Sequence, residues 1–513
     1  MNLPTLSNWR TWEPNPIVVK ELRQAVRSWA VTGMLLMFLA VLFFVTVGFL
    51  LGQSFHISPN QALGREIFQF FLPVLSIVSF IFIPLYVGGR LTAERLDGNV
   101  DMLYITTLSA ARIIRGKLLC GIYLTVLFFS VCAPVMVFTN LLRGIDLPTV
   151  FVLLTIAFLL SLLSLQAAIF LSCLPASKGL KLLVGLPAGG GMMSLVSGMV
   201  AILMDLMREG VGSRLGTWDF WGPALSLFLV GLLLFGFLHL AAIALISAPS
   251  ANRALPLRSY VTGTWLFTLV VALLWAARSG YVEPFYVWAS FTTGIMVLAL
   301  LISVAEGDVL SVRIRRTIPE APGKRGLAFF FYSGTAGGLA WTIALSAATI
   351  LVVAVAFKPL MSVFPTAFTG RPPSHVAGSS SGELTSYLST IILYVLAYSL
   401  FGLFIHRRFQ SHRPPIVAAM IAVALPARWA IVPNLVLFFL NKLSWDALQE
   451  RQLGNLFNVF GMKNQAYLPD HLTCALVLTA LGVLLNLKWF LAQRAAFQPL
   501  RREAQTVTPP PLP

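Results

Sequence analysis

The sequence predicts an all-α polytopic membrane protein with about twelve transmembrane helices. Three observations carry that prediction. Only 11% of the 513 residues are charged and 58% are hydrophobic, whereas soluble domains are about a quarter charged. The apolar residues gather into runs of roughly 20, enough for a helix to cross a hydrocarbon core of about 30 Å. Most charges fall between those runs, and mean hydropathy is +0.84. The net charge of +17 does not make a nucleic-acid partner, because scattered bases flanking apolar runs are topology determinants. The expected surroundings are a lipid bilayer.

The chain opens with a polar tail and then NPIVVKELRQAVRS. Asn15 suits a helix cap and Pro16 its first turn. At helical spacing Lys20, Arg23 and Arg27 form one face, beside Glu21. Val18, Leu22, Ala25, Val26 and Trp29 form the other. A basic amphipathic helix against a span reads as an interfacial helix on the cytoplasmic leaflet. The alternative is an ordinary basic anchor for the first span.

Spans are expected at about 29–51, 67–87, 118–142, 149–171, 182–204, 223–246, 260–277, 285–305, 335–357, 385–405, 416–440 and 471–491. With the N-terminus inside, Lys and Arg concentrate in the cytoplasmic segments while the acids divide almost evenly. That is the positive-inside pattern, and it places both termini in the cytoplasm. The organisation is then a tail and interfacial helix (1–28), a six-span half (29–246), a second six-span half (247–491) and a basic, Pro-rich cytoplasmic tail (492–513). The longest outer loops, about 358–384 and 441–470, are too small for a folded domain. The apolar residues of Asn441–Gly461 suit a segment lying along the outer surface. Gly185/Gly189 and Gly334/Gly338 have the spacing that lets helices approach closely; packing is preferred to a substrate path.

Little in the chain points to catalysis. All 19 Asp and Glu fall in connectors or at span ends, whereas ion-coupled carriers need acids inside the bilayer. Arg428 is a candidate intramembrane polar site, near the middle of the eleventh span between Pro426 and Pro433. The competing reading puts it in a Pro-broken, water-accessible bend. His239 has no partner nearby in sequence and reads as packed. The four cysteines form no C-x-x-C pair, so neither a disulfide framework nor a metal site is indicated. No phosphate-binding G-x-x-x-x-G-K-[ST] occurs. No cofactor is expected in this chain, and any ATP would be bound by a partner.

Residues 92–117 carry Thr92, Glu94, Arg95, Gly98, Asp101, Leu103, Thr106, Leu108, Ser109, Gly116 and Lys117 in a long charged connector. This pattern resembles the cytoplasmic loop between the second and third spans of ABC type-2 permeases, the membrane subunits of many bacterial ABC exporters. Asn99 replaces the usual small hydroxyl and Thr107 stands where Pro is common. Asn15-Pro16 and Lys20-Glu21-Leu22-Arg23 resemble the elbow helix that opens that family. The likeness covers about residues 15–246. It implies a transport subunit rather than an enzyme, in the bacterial cytoplasmic membrane, with 89–117 contacting a separate cytoplasmic ABC ATPase subunit. Arg112, Arg115 and Lys117 would anchor the loop's return to the headgroups. A solvated, salt-bridged hairpin at Glu94, Arg95 and Asp101 is the simpler reading of the loop by itself.

Six spans are usual in that family. Glu306 and Gly323-Lys324 echo Glu94 and Gly116-Lys117 in the second half. Whether the halves form an internal pair or the chain joins a second permease chain stays open. Two rivals remain. A secondary carrier of the major facilitator type has twelve spans, but its Gly-x-x-x-Asp-Arg signature is absent after the second span. A membrane-embedded transferase or scaffold should gather its acids and histidines at one face, and here they are scattered.

Overall fold

The computed structural model describes residues 16–53, 63–96, 109–142, 144–174, 215–248, 250–279, 283–308, 310–356, 381–440, 452–460 and 465–500, with isolated positions between 190 and 201. Among these residues there are helices and no strands. The protein is an all-α polytopic membrane protein. Among the described residues eleven helices are long and apolar enough to cross a bilayer. The fifth expected span, 182–204, lies outside the described residues apart from those isolated positions. The chain divides into two compact units, Met1–Ala248 and Pro249–Pro513.

Unit 1 begins with α1 (Pro16–Val26) and α2 (Trp29–Gln53). Then come α3 (Leu63–Ile77), a π-helical turn (Val78–Phe82), α4 (Ile83–Leu96), α5 (Ala110–Leu141), α6 (Leu147–Ser172) and α7 (Trp218–Ile246). α3, the π turn and α4 form one continuous span from Gly64 to Glu94. The π turn has a local cause. Pro84 has no N–H to give the Phe80 carbonyl one turn back, and its ring would crowd that carbonyl. The wider turn accommodates the ring, and the Ser164 hydroxyl of α6 donates to Phe80 O at 2.8 Å. Every backbone polar group within a bilayer needs such a partner. α5 packs against every other helix of the unit, and α6 against α4, α5 and α7. A Cβ on Gly88 of α4 would meet Ser172 Oγ at 2.8 Å and Ala168 O at 3.2 Å, so glycine lets these two spans touch.

Unit 2 contains α8 (Ala254–Ser279), α9 (Glu283–Val304), the short α10 (Val312–Arg315), α11 (Pro322–Phe331) and α12 (Thr335–Leu351) with a π turn at Val352–Ala356. It continues with α13 (Ser381–Phe409), α14 (Ile416–Phe439), α15 (Leu456–Phe460) and α16 (Leu468–Ala496). α13 is its central helix, and Tyr394, Ala397, Leu400 and Leu403 are buried along it.

Several expectations change here. The described part of 441–461, residues 452–460, packs against the spans and also exposes Leu453 and Phe457. Asn455, Leu456 and Val459 are buried, and Gly454 sits against Tyr398 and Trp429 of the spans. α14 runs unbroken through Pro426 and Pro433, so Arg428 does not lie in a broken bend. Its side chain is exposed on that helix. Gly334 has φ +145, which a side chain rarely adopts, so it serves the turn into α12. Gly338 alone of the Gly334/Gly338 pair makes the close approach, to Ser303 and Arg258.

Candidate functional site

Charged side chains from three helices meet in unit 1. α1 contributes Lys20 and Glu21, the end of α4 contributes Arg90 and Glu94, and the start of α5 contributes Lys117. Lys117 Nζ lies 2.8 Å from Glu21 Oε1 and 2.7 Å from Glu94 Oε2. Lys20 reaches Glu94 at 3.6 Å. Arg90 Nε lies 3.9 Å from Glu21 Oε2. The Arg90 guanidinium also donates to Tyr86 Oη at 3.0 Å and to Gln24 Oε1. Three cations thus enclose two carboxylates.

Burial decides how much these contacts matter. Lys117 is 2% exposed and Glu21 is 4% exposed. In such surroundings each charge depends on the other, because an ion left alone at low dielectric costs several kcal/mol. Glu94 and Lys20 lie nearer the rim, where solvent screening weakens their pair.

The local sequence explains how the groups converge. The α1 residues Val18, Glu21 and Ala25 follow one another at three- and four-residue spacing and share its buried stripe. Glu21 therefore points inward with the apolar residues. Arg23 and Arg27 are exposed, and so are Val26 and Trp29, which departs from the apolar face expected from sequence. Ser109 caps α5, its hydroxyl accepting from the Arg112 amide at 3.4 Å. That helix start brings Gly116 and Lys117 into the core while Arg112 and Arg115 remain exposed. Lys117 therefore does not anchor the chain to headgroups. Its partners are Glu21 and Glu94.

Of the other residues singled out in sequence, Thr92 is half-buried on α4 and Arg95 belongs to the last turn of that helix. Pro16 is the first residue of α1. Asn15, Gly98, Asp101 and Leu103 lie outside the described residues. Glu94 is not part of a solvated hairpin, since its partners sit on α1 and α5. Arg428 has no hydrogen-bond or ion-pair partner among the described residues and joins no cluster. His239 Nδ1 lies 3.3 Å from Gln166 Oε1 and its ring stacks on Phe235, so it does have polar company.

Unit 2 has its own buried charge centre. Arg258 of α8, 3% exposed, donates to both Glu306 carboxylate oxygens at 2.8 and 2.7 Å. It also donates to the carbonyls of Phe330 and Tyr332 at 2.9 and 2.7 Å. Glu306 Oε2 in turn accepts from the Gly334 amide at 2.7 Å, at the start of α12. Arg258 and Glu306 thus fasten the ends of three spans and the connector between them. Of the echo of Glu94 and Lys117, the carboxylate holds and the cation does not. Lys324 is exposed on α11, and Glu306 pairs with Arg258 instead.

No family model matches the chain, and neither a curated protein nor a solved structure is similar to it.

A second polar group in unit 2 was not foreseen. Tyr394 Oη lies 3.1 Å from His471 Nδ1 and accepts from the Gly454 amide at 3.1 Å. Tyr398 Oη donates to Gly454 O. The Gly454 contacts hold the 452–460 segment to α13, and His471 ties α13 to α16. Nothing in the spacing of Tyr394, Gly454 and His471 along the chain signals the meeting. Among the described residues no group of three His, Cys, Asp or Glu could hold a metal ion.

Proposed function

We propose that this protein is the membrane-spanning permease subunit of an ATP-binding cassette exporter in a bacterial cytoplasmic membrane. Both termini are cytoplasmic in this reading, and a separate ATPase subunit binds and hydrolyses ATP. The observation that supports it best is the Lys117-centred cluster. It joins α1 to both flanks of the 97–108 connector, so a displacement of that connector moves α1, α4 and α5 together. Buried ion pairs suit this work, since they hold one register and resist sliding. The resemblance of 92–117 to the ATPase-contacting loop of ABC type-2 permeases supplies the direction of the force.

The charge distribution supports a driven subunit over an ion-coupled carrier. Among the described residues every Asp and Glu sits on α1, in a connector or within the end turns of a span, leaving no acid at mid-membrane to carry protons.

The test begins by asking whether a soluble ABC ATPase is encoded beside this chain, and co-expresses it with the full chain. Glu94→Ala and Asp101→Ala should lower co-purification and stimulated ATPase activity about 5- to 150-fold, the usual span of a coupling free energy. Abundance in the membrane should stay unchanged. Full stimulation in both variants overturns the coupling role. Transport that persists without any ATPase and collapses with the proton gradient establishes the carrier reading instead.

A further inference from the structure

Unit 2 carries two cavities along the helix pair α12 and α16. The first, about 770 Å³, opens between α11 and the last turns of α16. Arg325 and Arg494 are its charged groups, and Phe329, Phe330, Phe490 and Phe497 are its aromatic lining. Those rings are interlocked: Phe329 meets Phe490 at 6.2 Å and Phe497 at 5.4 Å, both edge-on. The second cavity, about 330 Å³, is lined by Ile343 and Ile350 of α12, Ile392 and Leu396 of α13, and Leu472 and Leu476 of α16.

On α12 the linings of the two cavities follow one another. Ala340 lines the first, and Ile343, Ala347 and Ile350 line the second. Steps of three and four residues put all four on one face of α12. Going along that stripe, the lining changes from two guanidinium groups at helix ends to aliphatic side chains within the span. Ser346 borders the deeper cavity too, and its buried hydroxyl has no hydrogen-bond partner among the described residues.

We infer that this furrow seats an anionic phospholipid of the surrounding bilayer. The phosphate lies at Arg325 and Arg494, and an acyl chain follows the α12 stripe. Three features of the furrow select that occupant. The furrow lies on membrane-spanning helices, where acyl chains are the solvent. Its charged end is basic, with Lys324 exposed one residue from Arg325, and guanidinium groups match phosphate oxygens in a fork. Both volumes fall in or near the range of small-molecule sites. The inference stands independently of the permease reading, because it uses no residue of unit 1 and no ATPase.

The test is native mass spectrometry of the full chain after exchange into a mixture of phosphatidylglycerol and phosphatidylcholine. The wild type should retain phosphatidylglycerol in preference. Losing charge-assisted hydrogen bonds from Arg325→Ala with Arg494→Ala should cut that preference by about tenfold or more. The charge-matched pair Arg313→Ala with Arg316→Ala, at exposed positions of the same unit, should leave it intact. Equal losses in the two pairs, or none in the first, overturn the inference. Ala347→Trp gives a second reading that keeps every charge. It fills the deeper cavity and should lower retention of the two-chain lipid, and unchanged retention overturns the chain placement.

Discussion

Lys117 Nζ and Glu21 Oε1 are 96 positions apart in the chain and 2.8 Å apart in the structure. This pair closes the largest loop in the unit 1 cluster and is its most buried contact. Lys117 also meets Glu94 at 2.7 Å, so one ammonium serves two carboxylates. Replacing it leaves both acids with reduced compensation. Lys117→Met should therefore destabilise the protein by about 3–5 kcal/mol, the usual cost of stranding a buried charge. Lys20→Met, at an exposed position, should cost well under that. Thermal unfolding in detergent with a fluorescence readout compares them, and equal losses would remove burial as the reason.

The contact between Ser164 and Phe80 invites a cycle of substitutions. Ser164→Ala removes the donor to Phe80 O and should cost about 1–3 kcal/mol, as leaving a buried acceptor unsatisfied does. Pro84→Ala restores the N–H that proline lacks. On the Pro84→Ala background, Ser164→Ala should cost much less. Additive losses in the double variant would mean that the hydroxyl works through something other than the orphaned carbonyl.

In unit 2, Arg258 holds Glu306 and two carbonyls of the chain entering α12. Arg258→Lys keeps the charge and loses the fork. It should open the 306–334 connector without removing the spans from the membrane. Limited proteolysis should then cut within 316–326 faster than in wild type, with the other connectors unchanged. A uniform increase in cutting across the chain would point to general unfolding instead.

How much was legible in the sequence depends on which interaction is asked about. The spans were legible because each is a local property: a run of apolar residues meets the bilayer's thickness by itself. Polar residues at both ends of the 97–108 connector could also be picked out, and Glu94 and Lys117 were among them. Their mutual contact could not, because nothing in a linear pattern states which helix packs on which. Glu21 shows the difficulty. Its charge suggests the wet side of α1, yet its spacing with Val18 and Ala25 sets it on the buried stripe. The Tyr394–His471 contact joins residues 77 positions apart, and no short-range motif marks either one.

The sequence by itself therefore determined the class: an α-helical chain that crosses a membrane many times, with its acids kept to the connectors and span ends. Local free energies suffice for that, since a helix satisfies its own backbone and the bilayer selects apolar side chains. Tertiary structure decided the pairings. It placed Glu21 and Glu94 on one lysine, assigned Glu306 to Arg258 rather than to Lys324, and packed Gly454 against Tyr398. Each is a contact between charged or polar groups brought together by helix packing, and such contacts depend on three-dimensional distance, which linear spacing does not encode.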